Sequence, residues 1–591
     1  MLGTILPKLV IDHSCRPHIA LVPYTSGYLK ESSRLEWVNV QFAIYIAQAS
    51  CQPVPTGSET LNEIDPQHKS PPGGKARDRE KLGALALETL SASGLKQHTY
   101  CMLVDNNWVE LWYFDRSGAI GSERIDIAGD AGRSGLLLAL TAVALADKYE
   151  LGYISADEFV CRHLEDKDRT HFPQLGYNDF NLRLFSLTPI SPLGSIPDLE
   201  LKRVTRLNEK RGRGLVGRGT VVLSCQTDDF DDRNRVILKY SWQPPLRRPE
   251  GEFYERVLKV GIRGIPRALG TRDVVNLCGG PRGRLHQILP SSSPVSTDDL
   301  DRVLRVIVFE LKEDLILLEK LDFASKPYEF MHIFKSIVTS KFFSHNTAAR
   351  GLILELVHRQ LFTRAHILHR DINPNNLMFN FKEGCPGVVD QAWLIDLDFA
   401  IQVPDVEDDQ EIDDSAYAPV LGHQDVTHTL ALPFRPLDFL PEVFNLPPED
   451  TKGRYMVELA RLVRSPYFYR HDLECFYWTL WWIILSQTHC KRTTVPPELD
   501  QWLNQKLEYA RTRKLGFTKS KATRTPAMMS VKRNMDQGHW RFVDYTLNGL
   551  SDVFAKGYDS RGNGEDQATA GGAITFDNFI QYLAVQRNNH L

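Results

Sequence analysis

Apolar and polar positions change period along the chain, and the changes mark its parts. SRLEWVNVQFAIYIAQASC, residues 33–51, carries apolar positions that predict a helix. Residues 52–80 mix Pro, Gly and charge without a period and predict a surface loop. Two apolar, aromatic runs flank Asp105-Asn106-Asn107 in TYCMLVDNNWVELWYFD (99–115), which is a hairpin signal. GLLLALTAVALADKYE (135–150) predicts a second helix, and the Pro/Ser-rich SLTPISPLGSIPDLE (186–200) is a candidate boundary. Residues 1–195 therefore predict a separate α+β region.

Beyond that boundary, GLVGRGTVVLSC (214–225) and RVILKYSW (235–242) are strand-like, and a short helix is expected over 249–260. From about residue 297 the pattern is mostly helical, with an irregular break over 380–450. Within that break the acidic VPDVEDDQEIDDS (403–415) reads as a mobile loop, and the basic KLGFTKSKATRTPAMMSVKR (514–533) as a solvated loop rather than a nucleic-acid surface. CFYWTLWWIIL (475–485) is 11 residues long. A bilayer span needs about 20, so a buried core helix is expected instead. DSRGNGEDQATAGGAITFDNF (559–579) echoes a calcium loop, but Ala570 stands where a bidentate Glu is required, so it reads as a linker before a C-terminal helix.

Composition adds limits. The 591 residues are 42% hydrophobic and 24% charged, which suits a globular protein of several domains with ample core. A net charge of −4 gives no field that would draw nucleic acid or an anionic membrane. Nine cysteines occur without a CxxC pair, against a disulfide framework or structural zinc. The opening MLGTILPKLVIDHSC has no secretory pattern. The expected setting is cytoplasmic or nuclear: not secreted, with no transmembrane segment and no nucleic-acid or membrane partner.

Candidate chemistry is carried by five short stretches. RGRGLVGRGT holds the literal spacing Gly212-x-Gly214-x-x-Gly217 and a second register, Gly217-Arg218-Gly219-Thr220-Val221. Glycines let backbone N–H groups approach phosphate oxygens, although a plain turn uses them too. Lys239 stands inside an apolar, β-branched run and must send its ammonium to a polar partner, either a nucleotide phosphate or solvent at a sheet edge. In RRPEGEFYERVLKV, Glu250 shares a helix face with Phe253, Tyr254, Val257 and Leu258. An acid on that face wants a cation such as Lys239, or it simply favours the first turn of the helix. HILHRDINPNNLMF (366–379) places Asp371 and Asn376 at the separation of a phosphotransfer base and a magnesium ligand. AWLIDLDFAI (392–401) ends an apolar strand in Asp396, the expected metal ligand, with Asp398 as a second ligand or a surface acid.

These stretches occur in the order glycine loop, Lys, Glu, HRD…N, DxD, and together they point to a protein-kinase-like fold. With RHDLECFYWTLWWII and the upstream LWYFDRSGAIGSERIDI (111–127), they resemble the fungal-type protein kinase family over about residues 95–485. The resemblance implies an α+β chain with a bilobal kinase-like fold that uses ATP and Mg2+. An α+β region (1–195) would precede a small β-rich N-lobe (196–290), a large helical C-lobe (291–558) and a linker with a C-terminal helix (559–591). It implies Asp371 as base, Asn376 and Asp396 as Mg2+ ligands, and Lys239 paired with Glu250 on the phosphates. Gly217 and Gly219 would form the nucleotide loop, and Asp472 would be the buried acid bracing the catalytic loop, where an N-cap is the other reading. The expected activity is phosphoryl transfer to protein Ser/Thr hydroxyls on an unassigned protein substrate. A pseudokinase scaffold and a choline- or aminoglycoside-type small-molecule kinase are the alternatives.

Three departures bear on that expectation. Asn373 stands where many protein kinases carry Lys, the third glycine of the loop is missing, and Leu430 and Ala431 stand near an expected Thr-Gly-Thr. Ser415, Tyr417, Thr427 and Thr429 lie where an activating phosphate could sit.

Overall fold

The computed structural model describes residues 19–21, 40, 42–47, 72–93, 96–147, 149–154, 159–163, 180–190, 198–207, 215–227, 235–288, 301–310, 315–339, 357–382, 385, 389–403, 432–440, 467–489, 507–560 and 568–583. The chain divides into two compact units, residues 1–247 with 268–311, and residues 248–267 with 312–591. Gly212, Gly214, the acidic segment from 404 onward, Leu430, Ala431 and the four candidate phosphorylation positions lie outside the described residues.

The first unit holds two sheets. One is built from β1 (Ile19–Leu21), β2 (Phe42–Ile46), β3 (His98–Asp105), β4 (Trp108–Asp115), β5 (Gly118–Gly121) and β6 (Ile125–Asp126), in the order β1-β2-β3-β4-β5 with β6 beside β4. The β3–β4 hairpin forms as expected, with Asn106 taking the positive φ of 51° that its turn requires. The helix expected over 33–51 is not there: Phe42–Ile46 is a strand between β1 and β3. A short apolar run fits a buried strand as well as a helix, and pairing on both sides decides it. The loop expected over 52–80 also gives way, because α1 (Pro72–Ser93) starts inside it. Pro is tolerated at a first helical position, where its missing N–H would have no helical partner.

Each face of this sheet has its own helix. Leu82, Leu85, Ala86 and Leu90 of α1 pack against Cys101, Leu103, Trp112 and Phe114. Leu136, Leu140 and Val143 of α2 (Asp130–Leu145) lie against Phe42, Met102 and Val109 on the other face. Fully burying a leucine is worth about 1.5–3 kcal/mol, so α1 is fixed by its core face despite three consecutive non-helix-favouring residues at its start.

The second sheet has the order β7-β8-β10-β11-β12-β14-β13-β9. Its strands are β7 (Phe159–His163), β8 (Phe180–Phe185), β9 (Thr188–Pro189), β10 (Asp198–Arg206), β11 (Val221–Gln226), β12 (Arg235–Gln243), β13 (Ala268–Asn276) and β14 (Val303–Glu310). Val236, Leu238, Tyr240 and Trp242 of β12 point into one core, the period-two pattern of a strand. Between β12 and β13 comes α3 (Glu250–Val260), which belongs to the second unit, and α4 (Pro281–Ile288) follows β13. Strand β14 corrects the helical expectation from 297 onward. Its apolar residues are buried between β12 and β13, which suits a strand covered on both sides.

The second unit is mostly helical: α5 (Pro327–Thr339), α6 (Val357–Thr363), α7 (Tyr469–His489), α8 (Leu507–Lys519), α9 (Lys521–Lys532), α10 (Gln537–Ser560) and α11 (Phe576–Leu583). Its short strands are β15 (Ile316–Leu317), β16 (Ile367–Leu368), β17 (Leu377–Phe381), β18 (Val389–Leu394) and β19 (Ile401–Gln402). Helix α7 is buried on nearly every side and has Phe476, Tyr477, Trp478 and Trp481 fully buried, as a core helix should. No helix among the described residues is long and apolar enough to cross a membrane. The C-terminal helix after the calcium-loop echo is α11.

The basic stretch 514–533 is not the solvated loop its charge suggested, since it runs through α8 and α9. Lys514 is buried, donates from Nζ to Arg435 O at 2.7 Å and lies 4.6 Å above the Trp478 ring. A lysine stem packs well in an apolar site when its ammonium finds such partners, and charge counting along a sequence does not see that. Burial pulls the Lys514 ammonium down to about 7, only partly offset by Glu474 and Cys475 and reinforced by Arg435. The unfolded chain then binds more protons above that value, so this group adds stability as pH rises from about 7 toward its unfolded value. Wild type should gain on Lys514→Met in thermal unfolding between pH 7 and 10, and a flat difference across that range rules the assignment out.

Candidate active site

Residues 366–379 form one polar loop on a rigid base in the second unit. Strand β16 leads into it, Pro374–Asn376 makes a single 3-10 turn, and β17 leaves it. Asn373 caps that turn by accepting from Asn375 N at 3.0 Å, and Pro374 supplies the preset φ of a first turn. The Asn373 side-chain amide donates to Asp371 Oδ1 at 3.1 Å and to Asp371 O. Asn376 donates to Asp371 O at 2.7 Å and, more weakly, to Oδ2 at 3.4 Å. Thus the Asp371 carboxylate, 7% exposed, is aimed by two side-chain amides. The odd letter of the motif, Asn373, is a positioning residue for Asp371.

Beneath the loop lies Asp472, wholly buried in the first turn of α7. Its Oδ2 accepts from His369 N and pairs with His358 Nε2, both at 2.8 Å, and its Oδ1 accepts from Arg370 N and the Tyr467 hydroxyl, both at 2.9 Å. The helix starts three residues earlier, at Tyr469, so the N-cap reading fails and the bracing one stands. Burial by itself would raise the Asp472 carboxyl, but the His358 bond and charge, with His369, hold it below the ordinary carboxylate value. The four bonds also fix Arg370 in a left-handed conformation, φ 64°, a state that costs of order 1–3 kcal/mol for a non-glycine residue.

A second loop, Asp396-Leu397-Asp398, follows β18 and is tied to the first. Ile395 N donates to Asn376 O, and Ile395 O faces His369 Nε2, both at 3.0 Å. Asp396 is half-buried with φ 72°, a left-handed turn that lets its side chain leave the strand direction. Asp398 is 2% exposed, so it is not a surface acid. Helix α3 docks on the same unit: Gly264 O accepts from Leu394 N at 2.8 Å, and Arg256 and Arg364 bridge to Ala365 O and Val260 O. Its Tyr254 hydroxyl accepts from Leu397 N at 3.4 Å and bonds Glu250. Burial, then Glu250 and Asp396, push the Tyr254 phenol far up, so it stays a donor toward the Glu250 carboxylate. Bonds through Ile395 N, Leu397 N and Tyr254 thereby tie the Asn376 backbone, the Asp396 turn and Glu250 together.

Gly217, Gly219 and Lys239 sit in the first unit. Gly217 has φ 143° and Gly219 φ 51°, conformations that only glycine holds without strain. The loop is pinned to β12, where Trp242 N donates to Arg218 O at 2.7 Å. Lys239 lies opposite Val222 and Ile307 on a strand with neighbours on both sides, 6% exposed, facing away from the core that Leu238 and Tyr240 enter. An edge lysine reaching solvent is excluded.

The chain matches the fungal protein kinase description over residues 67–279 and 355–484, more than half its length. The chain belongs to the fungal protein kinase family. As a member it carries a protein-kinase-like fold, the α+β class expected from its sequence. No curated protein matches it. Among solved structures it is similar to WaaP in complex with acyl carrier protein, with 13% identity over 56% of this chain and 90% of that one at a TM-score of 0.22. The BubR1 kinase domain gives 13%, 59%, 89% and 0.24, and ROP2 from Toxoplasma gondii, described as a protein-kinase fold with no enzymatic activity, gives 12%, 60%, 87% and 0.23. Scores this low carry no argument about activity.

The donor set of this family member fits a hard divalent cation. The Asn376 amide nitrogen is turned onto Asp371 O, which leaves the amide oxygen as the end able to ligate a cation. Among the described residues no three His, Cys, Asp or Glu side chains converge on one metal position. Mg2+ is usually held by one or two protein carboxylates together with phosphates and water, so such a pair suffices.

Sequence reasoning passed over His358, Tyr467 and the hydroxyl of Tyr254. Tyr254 was visible as the i+4 neighbour of Glu250 on the inward face, but was counted as apolar. Nothing local signals His358.

Asp472→Ala strips a charged acceptor from two buried N–H groups, a phenol and an imidazole. It should cost the second unit roughly 3–5 kcal/mol in denaturant unfolding at neutral pH. Because the carboxyl is held low when folded, that contribution is present above the unfolded value of about 3.9 and lost as pH falls through the folded one. A loss no larger than that of the exposed Asp577→Ala would refute the brace. Tyr254→Phe keeps the ring and removes the hydroxyl, so amide exchange at Leu397 should quicken at a stability cost of about 1–3 kcal/mol. Unchanged exchange there would remove Tyr254 from the site.

Proposed function

We propose that the chain is an ATP- and Mg2+-dependent protein kinase that transfers the γ-phosphoryl group of ATP to Ser/Thr hydroxyls of a protein. The observation that carries this reading is the Asp371 carboxylate, aimed by Asn373 and Asn376 on a backbone anchored by Asp472. Asp371 would accept the proton of the attacking hydroxyl. Asn376 and Asp396 would hold Mg2+, whose charge, when bound, offsets the negative charge developing on the transferred group. Lys239 would hold the α- and β-phosphates with Glu250 as its acid, and the Gly217–Gly219 loop would let backbone amides approach them. The acceptor would be a protein, with no nucleic-acid or membrane partner, in keeping with a net charge of −4.

One observation favours a second reading. The Asn373 amide occupies Asp371 Oδ1, the kind of oxygen a base needs for its substrate. A nucleotide-binding scaffold without transferase activity is compatible with that bond.

Labelled ATP and a panel of basic proteins and amino-alcohols separate the cases. Wild type should label protein Ser/Thr, and Asp371→Asn should label it roughly 10²–10⁴-fold more slowly. ATP with Mg2+ should stabilise both against heat, by about 2.7 kcal/mol at a hundredfold excess over Kd. Equal labelling by both proteins removes Asp371 as base. Stabilisation without any labelling selects the scaffold, and labelling of amino-alcohols alone selects a small-molecule kinase.

A further inference from the structure

The turn between β4 and β5, Asp115-Arg116-Ser117-Gly118, is built like a site yet has no part in the roles assigned above. Asp115 and Arg282 form a bidentate ion pair at 2.6 Å with both side chains at most 2% exposed. The remaining capacity of Asp115 Oδ1 caps the turn, accepting from Ser117 N at 2.8 Å and Gly118 N at 3.0 Å. Arg116 is held between these anchors and is itself buried, with Nη2 donating to Ser91 at the end of α1 at 3.2 Å.

What this turn touches is the nucleotide loop. Gly217 N donates to Arg116 O at 3.1 Å. The Arg116 guanidinium lies directly under Gly219, where a Cβ would stand 2.6 Å from Nε. Two residues before Gly217, Leu215 is 5% exposed and inserted into the core of the first sheet beside Leu82, Leu90, Trp112 and Phe114. A backbone bond, a side-chain backstop and a core anchor thus converge on five residues of loop. The groups that make these contacts with the loop all belong to the region upstream of residue 195.

We propose that this upstream sheet is a built-in brace for the phosphate loop, with Arg116 as its positioning residue. Arg116 fixes the left-handed Gly217–Gly219 backbone and lends the loop a buried positive charge facing the phosphates of ATP. The proposal rests on the reading of the chain as nucleotide-binding, but the brace itself exists without nucleotide.

Two measurements on the full-length chain test it. In the absence of nucleotide, Arg116→Ala and Leu215→Ala should each raise amide exchange over residues 215–220 by roughly tenfold or more relative to β3. Exchange unchanged in both variants overturns the brace, whatever the protein binds. With nucleotide, Arg116→Ala should weaken ATP·Mg2+ binding by roughly tenfold while leaving adenosine binding unchanged, and Arg116→Lys should recover part of the loss. Equal weakening of both ligands, or of neither, overturns the charge role. Should wild type bind neither ligand, the nucleotide reading falls and the exchange result alone decides the brace. Circular dichroism identifies a variant that does not fold, and Arg116→Lys, which keeps charge and stem, then carries the exchange comparison.

Discussion

One buried carboxylate orders the loop at the centre of the second unit. Removing Asp472 from water is costly, and the cost is offset only because every lone-pair direction finds a donor: two backbone N–H groups, a phenol and an imidazole. The same bonds that satisfy the acid hold the HRD backbone in a conformation it would not choose, with Arg370 left-handed. Asp371 inherits its direction from that strained backbone, and Asn373 and Asn376 finish the aim. The apolar helix α7 supplies the platform, because an acid in its first turn cannot move without moving a row of buried aromatics.

Local sequence was a good guide where the chemistry is local. The β3–β4 hairpin, the strand that follows the glycines, the strand carrying Lys239, helix α3 and the core character of α7 follow from period and turn residues. The candidate residues were legible for the same reason: they occur as short motifs in fixed order, and backbone bonds tie the turn that holds Asp396 to Asn376 and, through Tyr254, to Glu250. Gly217 and Gly219 take backbone angles that explain why those positions are glycine.

Elsewhere the deciding partner was distant in sequence. Phe42–Ile46 and Val303–Glu310 are strands because of the neighbours that pair with them, which a window of ten residues does not contain. The basic stretch around Lys514 looked solvated because charge normally implies water, and Lys514 itself turned inward because Trp478 and the Arg435 carbonyl receive its ammonium. His358 reached Asp472 across more than a hundred residues, and no spacing rule foretells that.

Leu215 has a consequence for how this sequence can change over time. It belongs to two structures at once, as the entry to a loop and as a plug in a core lined by Leu82, Leu90 and Trp112. A methylene gained or lost in that core is felt at the loop that Leu215 enters. Substitutions on the core face of α1 should therefore be tolerated best alongside compensating ones at Leu215, so that helix and loop are inherited as a single heritable block.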